Sequence, residues 1–195
     1  MSVINQYEQY YAKDRKAWRA WLKKHHNKAP GVWLVYYKKE SGKSRVPYAD
    51  AVEEALCFGW IDSTSRPLDE ERYMQLFTPR KPKSVWSGLN KQRVEKLIAG
   101  GQMTEAGLEK IAVAKKNGQW EKTDQVEAFV VPDDLAKELK KNKAAQAYYD
   151  TLGKTNKKYI LYWLNSAKRE ETRARRVEEI MASLKQGVMP ERFRT

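Results

Sequence analysis

The segment from Thr78 to Ser87 carries side chains that suit the binding of an anion. Arg80 can form paired hydrogen bonds with a phosphate or a carboxylate, and Lys81 and Lys83 add positive point charges. Prolines within the segment restrict its backbone, so less conformational entropy is lost when a ligand orders it. The sequence therefore predicts an anion-binding loop at this position.

The residues at the end of this loop extend the predicted site. Ser84 and Ser87 offer hydroxyl groups, and Trp86 could stack on a base or another flat ring. A helix predicted to begin after Ser87 would add free backbone N–H groups and the positive end of its dipole. Thr78, at the start of the loop, belongs to the same predicted site. The alternative is a solvated basic turn in which Trp86 fills the core.

A second group of reactive side chains shares one face of a predicted helix: Asp50, Glu53, Glu54 and Cys57. Carboxylates beside a thiolate could bind a transition metal, and Cys57 could act as a nucleophile. Metal sites normally contain histidine or further cysteines, and neighbouring carboxylates would raise the pKa of the thiol. We therefore predict no metal and interpret this face as a solvated acidic face with a small buried thiol at its edge. Glu54, Cys57 and Asp62 are catalytic candidates only if the protein is an enzyme.

Other residues could assist the loop. Glu54 could pair with it and position it, and a deep pocket joining Glu54, Trp60, Asp62 and Arg80 would favour an enzyme. Near the carboxyl end, a basic cluster could follow a nucleic-acid backbone and widen the footprint: Lys168, Arg169 and Arg173. Glutamates interleave with that cluster, so ion pairs within the helix are the alternative.

The hydrophobic pattern predicts the elements that must position these residues. The predicted strands cover residues 32–37, 60–65 and 72–78, and the predicted helices cover 15–27, 47–59, 88–99, 105–117, 133–141, 144–152 and 171–186, with one more starting after 155. The pattern weakens at 119–132, which we interpret as a connection. We predict an α+β fold, in which a small antiparallel sheet packed with helices (1–125) precedes a unit of three to four helices (126–195).

The charge balance indicates anionic partners. The chain of 195 residues contains 38 lysines and arginines against 25 aspartates and glutamates, giving a net charge of +13. Such a field attracts nucleic acid or smaller anions. A hydrophobic content of 41% supports a packed core and excludes disorder throughout. The single cysteine and the lack of a signal peptide or a long apolar run predict a cytoplasmic protein that does not insert into a membrane.

Several of these motifs carry a resemblance to a known family. The segments involved are 32–38, 53–62, 77–87, 103–107, 132–135 and 167–176. They resemble the YdeI/OmpD-associated (bacteriocin-protection) proteins, which are bacterial and have been grouped with the YjbR/CyaY-like folds. The resemblance implies a YdeI-like domain at 1–125, a helical OmpD-associated-type domain at 126–195 and a link to bacteriocin tolerance. It implies no defined biochemical activity.

The YjbR/CyaY-like grouping implies two alternative functions, DNA binding and frataxin-like iron binding. Iron binding of that kind needs an acidic first helix. The first predicted helix is instead cationic, with one aspartate, Asp14, beside Lys13, Arg15, Lys16, Arg19, Lys23 and Lys24. A cationic helix repels iron, so this option is disfavoured.

The leading hypothesis is a non-enzymatic cytoplasmic protein that binds a polyanion, nucleic acid in the first place. Arg80, Lys81 and Lys83 would hold phosphates, and Trp86 would stack on a base. The alternatives are an enzyme or sensor for a small anionic ligand held by the same loop, and a protein-interaction module. No cofactor is predicted, and the third hypothesis, a protein-interaction module, implies a protein partner.

Overall fold

The computed structural model describes residues 6–194. The chain divides into two compact units, of which the first ends at Lys122 and the second begins at Thr123. This division falls three residues before the predicted boundary at 125. Each unit buries its own set of apolar side chains, so each has a hydrophobic core of its own.

The first unit is built on a four-stranded sheet in the order β1-β2-β4-β3. Its strands are β1 (Glu8–Tyr11), β2 (Val32–Tyr37), β3 (Trp60–Pro67) and β4 (Arg72–Pro79). β1 runs parallel to β2, whereas β2, β4 and β3 pair antiparallel. The predicted α+β class is confirmed, and the parallel edge strand makes the sheet mixed rather than antiparallel. β1 was not predicted, because its two polar residues followed by two tyrosines do not show the alternation of polar and apolar side chains that is typical of a strand.

The central strand β2 is apolar along its whole length because both of its faces are buried. Val32, Leu34 and Tyr36 join the main core, while Trp33 and Val35 join a smaller cluster on the opposite face. The helices of the first unit are α1 (Arg15–His25), α2 (Tyr48–Cys57), α3 (Gly88–Ala99) and α4 (Glu105–Lys116). Side chains of all four helices enter the main core.

Two glycines let the end of α2 approach α4 closely. Gly59 follows α2 with φ +72°, and a Cβ there would lie 2.8 Å from the carbonyl oxygen of Ala106. A Cβ on Gly107 would lie 2.4 Å from the carbonyl oxygen of Cys57. The Thr104 hydroxyl donates to the same Cys57 oxygen at 2.7 Å. These contacts fix the end of α2, which carries the predicted acidic face.

The second unit is helical. It consists of α5 (Asp124–Glu127), α6 (Asp133–Lys141), α7 (Lys143–Thr151), α8 (Lys154–Asn165) and α9 (Glu170–Lys185), whose apolar faces form one core. The four helices predicted beyond residue 132 are all present. The single turn of α5 lies in the segment interpreted as a connection, since four residues are too few to show a helical period. Within residues 6–194, no helix is long and apolar enough to span a membrane.

Candidate functional site

The predicted anion loop is held in place by three contacts. At its start, the backbone N–H of Arg80 donates to the carbonyl oxygen of Gly59 at 2.9 Å. In its middle, the Asn117 side-chain amide donates to the carbonyl oxygen of Pro82 at 2.7 Å. At its end, the Ser87 hydroxyl oxygen accepts the backbone N–H of Asn90 and caps α3. The loop is therefore a fixed platform between β4 and α3.

Arg80 and Trp86 point into the first unit rather than toward solvent. Arg80 is 4% exposed and Trp86 is 1% exposed. The guanidinium carbon of Arg80 lies 3.8 Å from the centre of the Trp86 ring, and its Nη1 donates to the carbonyl oxygen of Val85 at 2.9 Å. This burial corrects the prediction for these two residues. Trp86 has no face free for a base, and Arg80 does not reach a polyanion lying on the surface.

The charge of Arg80 lacks an ion-pair partner in the described part of the chain. No carboxylate there forms a salt bridge with it, and its buried Nε has no hydrogen-bond partner among residues 6–194. Burial lowers the pKa of Arg80 to about 10, and the negative charge of Asp62 opposes that effect. Burying a guanidinium with an unused donor is unfavourable.

The exposed charges of the loop belong to its lysines. Lys81 and Lys83 are exposed, and the bond between Asn117 and Pro82 joins them to the last turn of α4, where Lys115 and Lys116 are also exposed. We call these four residues the lysine surface. None of them forms a salt bridge with any residue that the structure describes. Half-buried Trp120 lies beside them, with the Lys115 Nζ 5.2 Å from its ring centre.

The remaining loop residues take backbone roles. Thr78 is half-buried and pairs with Ile61 in the ladder between β3 and β4. Ser84 is half-buried, and its backbone N–H donates to the carbonyl oxygen of Lys81 at 2.9 Å. The side-chain oxygen of Ser87 is already used as the helix cap. Of the hydroxyl groups predicted to hold an anion, that of Ser87 is therefore already engaged by the fold.

The acidic face of α2 lies against α1. Glu54 is 3% exposed, and its two carboxylate oxygens accept from Arg15 Nε and Arg19 Nη1, each at 2.6 Å. The Nη1 of Arg15 also contacts Glu53 at 2.9 Å and Asp50 at 3.4 Å. The prediction of a solvated face is therefore wrong, because α1 covers it. Glu54 pairs with these arginines and not with the basic loop.

Cys57 is fully buried at the end of this face. Burial raises the pKa of its thiol, the charge of Glu54 raises it further, and Arg19 acts in the opposite direction. A buried neutral thiol is a poor nucleophile. Among residues 6–194, no group of three or more histidine, cysteine, aspartate or glutamate side chains is placed to hold a metal ion.

The two other candidates for a catalytic pocket lie apart from Glu54. Half-buried Asp62 accepts a hydrogen bond from the Tyr48 hydroxyl at 2.5 Å. Trp60 is buried in the core, where its indole N–H donates to the carbonyl oxygen of His26 at 3.0 Å. Glu54 and Asp62 therefore belong to separate polar clusters, and the structure does not bring them together as an acid–base pair.

The basic cluster of the second unit is partly neutralised. Lys168 and Arg169 are exposed. Arg173 donates to both carboxylate oxygens of Asp134, from Nε at 2.6 Å and from Nη2 at 3.1 Å. This pair ties α9 to α6 and lowers the pKa of Asp134. Arg173 is therefore corrected from an auxiliary polyanion contact to a structural residue.

A four-stranded mixed sheet covered by helices, followed by a separate helical unit, defines a two-unit α+β protein. Two family models match it. One, a domain of unknown function (DUF8412), matches residues 10–110, and the other, described as bacteriocin-protection, YdeI or OmpD-associated, matches residues 128–187. The first match covers just over half of the chain, which therefore belongs to the DUF8412 family, and the second unit carries a domain of the bacteriocin-protection, YdeI or OmpD-associated family.

The second match lies within the helical unit and the first lies within the sheet-containing unit. No curated protein and no solved structure matches the chain. Neither family model bears on the YjbR/CyaY-like grouping, which stays a prediction.

Proposed function

We propose that this protein binds a polyanion, nucleic acid in the first place, through the lysine surface, and that it does so without catalysing a reaction. The observation that carries the proposal is the state of Lys81, Lys83, Lys115 and Lys116: all four are exposed and none is engaged in a salt bridge among residues 6–194. Because no carboxylate has to be displaced, each ammonium group is free to neutralise a phosphate.

The platform beneath these lysines supports the same function. The loop is fixed by hydrogen bonds to Gly59 and Asn117, so its shape does not have to be ordered on binding. Half-buried Trp120, rather than Trp86, would then be the aromatic side chain that stacks on a base. Its position beside Lys115 would let a base contact the ring while the backbone phosphates follow the lysines.

Binding of this kind reads charge and shape rather than sequence. Lysines are point charges that contact phosphates, and contacts to phosphates position a nucleic acid without reading its bases. A cytoplasmic location and a contribution to bacteriocin or stress tolerance belong to the same proposal, supported by the family description and by the single cysteine.

The test is the affinity for a fluorescent single-stranded oligonucleotide, measured by anisotropy at 0.1 M salt. Replacing Lys81 and Lys83 by glutamine removes two phosphate contacts, which lowers the affinity about 25-fold if each contact contributes as in single-stranded complexes. Lys38→Gln/Lys39→Gln is the matched control, because both side chains are exposed in the same unit and the charge change is equal. The control should bind within about twofold of the native protein.

Two results would overturn the proposal. If the native protein fails to bind even at low salt, the lysine surface is an ordinary solvated surface. If the control loses as much affinity as the Lys81→Gln/Lys83→Gln variant, binding depends only on net charge and the site lies elsewhere.

A further inference from the structure

Trp120 is held in a fixed position beside the lysine surface. It follows the end of α4, where Gly118 turns the chain with a φ of +72°. The backbone N–H groups of Gln119 and Trp120 both donate to the carbonyl oxygen of Ala114, at 2.9 Å and 3.1 Å. The backbone of Trp120 is therefore fixed by α4 and does not have to be ordered by a ligand.

A series of side-chain contacts connects Trp120 to the interior of the first unit. Its ring centre lies 5.0 Å from that of Trp86, with an angle of 50° between the ring planes. Trp86 is 1% exposed and in turn contacts the guanidinium of Arg80. Trp120 packs against the main core and is only half-buried. It is therefore the member of this series that reaches the surface.

Two lysines from different helices place their ammonium groups near this ring. Nζ of Lys91 on α3 lies 5.3 Å from the ring centre, and Nζ of Lys115 on α4 lies 5.2 Å from it. Contacts between an ammonium group and an aromatic ring are weak where water has access. The ring can therefore exchange an ammonium group for a base, and the lysine can turn to a phosphate of the same strand.

We propose that Trp120 makes this surface selective for single-stranded nucleic acid over duplex. The inference rests on the function proposed above and adds the class of nucleic acid. One base of the strand would stack on Trp120 while Lys91 and Lys115 neutralise the phosphates beside it. The two lysines of the loop would follow phosphates further along the strand.

The structure of the nucleic acid is the reason for this selectivity. In a single strand the flat face of a base is accessible, and every base offers such a face, so stacking does not depend on the sequence. In a duplex each base is paired and stacked on its neighbours, and extruding it costs free energy. A duplex would therefore contact the lysines alone and lose the contribution of Trp120.

The test compares three probes of equal length: a single-stranded oligonucleotide, the same strand without its bases, and a duplex. The abasic strand keeps the phosphates, so it isolates the contribution of the bases. The native protein should bind the base-bearing strand about tenfold more tightly than the abasic strand, because stacking one base on an aromatic side chain has about that effect. This comparison needs no variant of the protein. Equal affinity for the two strands would overturn the inference.

Trp120→Leu tests the aromatic ring itself, since leucine keeps an apolar side chain next to Trp86. The variant should bind the base-bearing single strand about tenfold more weakly than the native protein does. Its affinity for the abasic strand and for the duplex should stay within about twofold of the native values. An unchanged affinity for the base-bearing strand would show that no base stacks on Trp120 and would refute the inference.

The outcomes separate this inference from the function on which it rests. Lys81→Gln/Lys83→Gln should weaken the binding of all three probes, because each of them carries phosphates. If that loss occurs while the native protein binds the single strand no more tightly than the duplex, the selectivity assigned to Trp120 is wrong and the proposed polyanion binding stands. If no probe binds even at low salt, the proposed function and this inference both fail.

Discussion

Replacing Glu54 by glutamine tests whether the ion pairs between α1 and α2 hold the first unit together. Glu54 is 3% exposed and accepts two charge-assisted bonds of 2.6 Å from Arg15 and Arg19. Glutamine has nearly the same shape and keeps one acceptor oxygen, but it removes the negative charge. The variant therefore isolates the electrostatic contribution from the packing contribution.

The expected loss follows from the exposure of the partners. Breaking a fully buried ion pair costs about 3–5 kcal/mol, because the remaining charge is left without water or a partner. Here Arg15 is 32% exposed and Arg19 is 39% exposed, so both regain some hydration. Arg15 also keeps Glu53 and Asp50 as neighbours. We therefore expect the free energy of unfolding to fall by about 2–3 kcal/mol.

Urea unfolding followed by tryptophan fluorescence measures this loss in the correct unit, because six of the seven tryptophans precede residue 123. The midpoint should fall by roughly 1–2 M urea. Glu53→Gln is the control, since Glu53 is 30% exposed and makes one bond to Arg15; it should cost less than about 1 kcal/mol. Equal losses in the two variants would refute the reasoning, since burial of Glu54 would then have no energetic consequence.

Three further predictions concern other parts of the chain. Gly107→Ala should lower the free energy of unfolding of the first unit by about 2–3 kcal/mol, because the new Cβ would lie 2.4 Å from the Cys57 carbonyl oxygen. An unchanged urea midpoint would contradict this prediction and show that α2 and α4 can move apart without cost. Cys57 should resist a thiol reagent at neutral pH in the folded protein and react at once in urea. The reason is that its side chain is buried and the pKa of its thiol is raised. Prompt labelling of the folded chain would contradict this prediction. The third concerns Asp134. Its hydrogen bonds with Arg173 lower the pKa of the Asp134 carboxyl below its ordinary value of 3.8. The ion pair therefore stabilises the fold at pH values above 3.8, and this stabilisation is lost as the pH falls from 3.8 through the lowered pKa. Asp134→Asn should therefore lower the midpoint of thermal unfolding, followed by circular dichroism, more at pH 7 than at pH 2; an equal effect at both pH values would refute the electrostatic origin.

The elements with a clear period were predictable from the sequence alone. β2, β3, β4 and the helices α1 to α4 and α6 to α9 all lie where the hydrophobic pattern placed them, within a few residues at their ends. β1 and α5 were missed because each has four residues, which is too short for a pattern to emerge. β1 exists because β2 offers it an edge to pair with, and such an edge is a tertiary property.

The acidic face of α2 shows why one helix cannot be interpreted alone. Its carboxylates lie opposite the apolar stripe, and that position normally indicates solvent. Arg15 and Arg19 stand four residues apart on α1 and therefore share one face. Matching this basic face to the acidic face of α2 would have predicted the ion pairs around Glu54, and that signal was present in the sequence.

The loop was predicted in position but only partly in role. Lys81 and Lys83 are exposed as expected, whereas Arg80 is buried against Trp86. A charged residue is expected at the surface unless it is paired, so sequence reasoning has no basis for burying Arg80. Lys115 and Lys116 are brought to the loop by the bond from Asn117, at the end of α4, to Pro82, a contact between residues far apart in the chain.

The measurement that tests the central claim most directly is the salt dependence of oligonucleotide binding. The logarithm of the binding constant should fall linearly with the logarithm of the salt concentration in the native protein. Replacing Lys81 and Lys83 by glutamine should reduce the magnitude of that slope by about 1.4, since each lost phosphate contact accounts for about 0.7 with single strands. Lys38→Gln/Lys39→Gln should leave the slope unchanged. A slope in the Lys81→Gln/Lys83→Gln variant equal to that of the native protein would contradict the assignment of polyanion binding to the lysine surface.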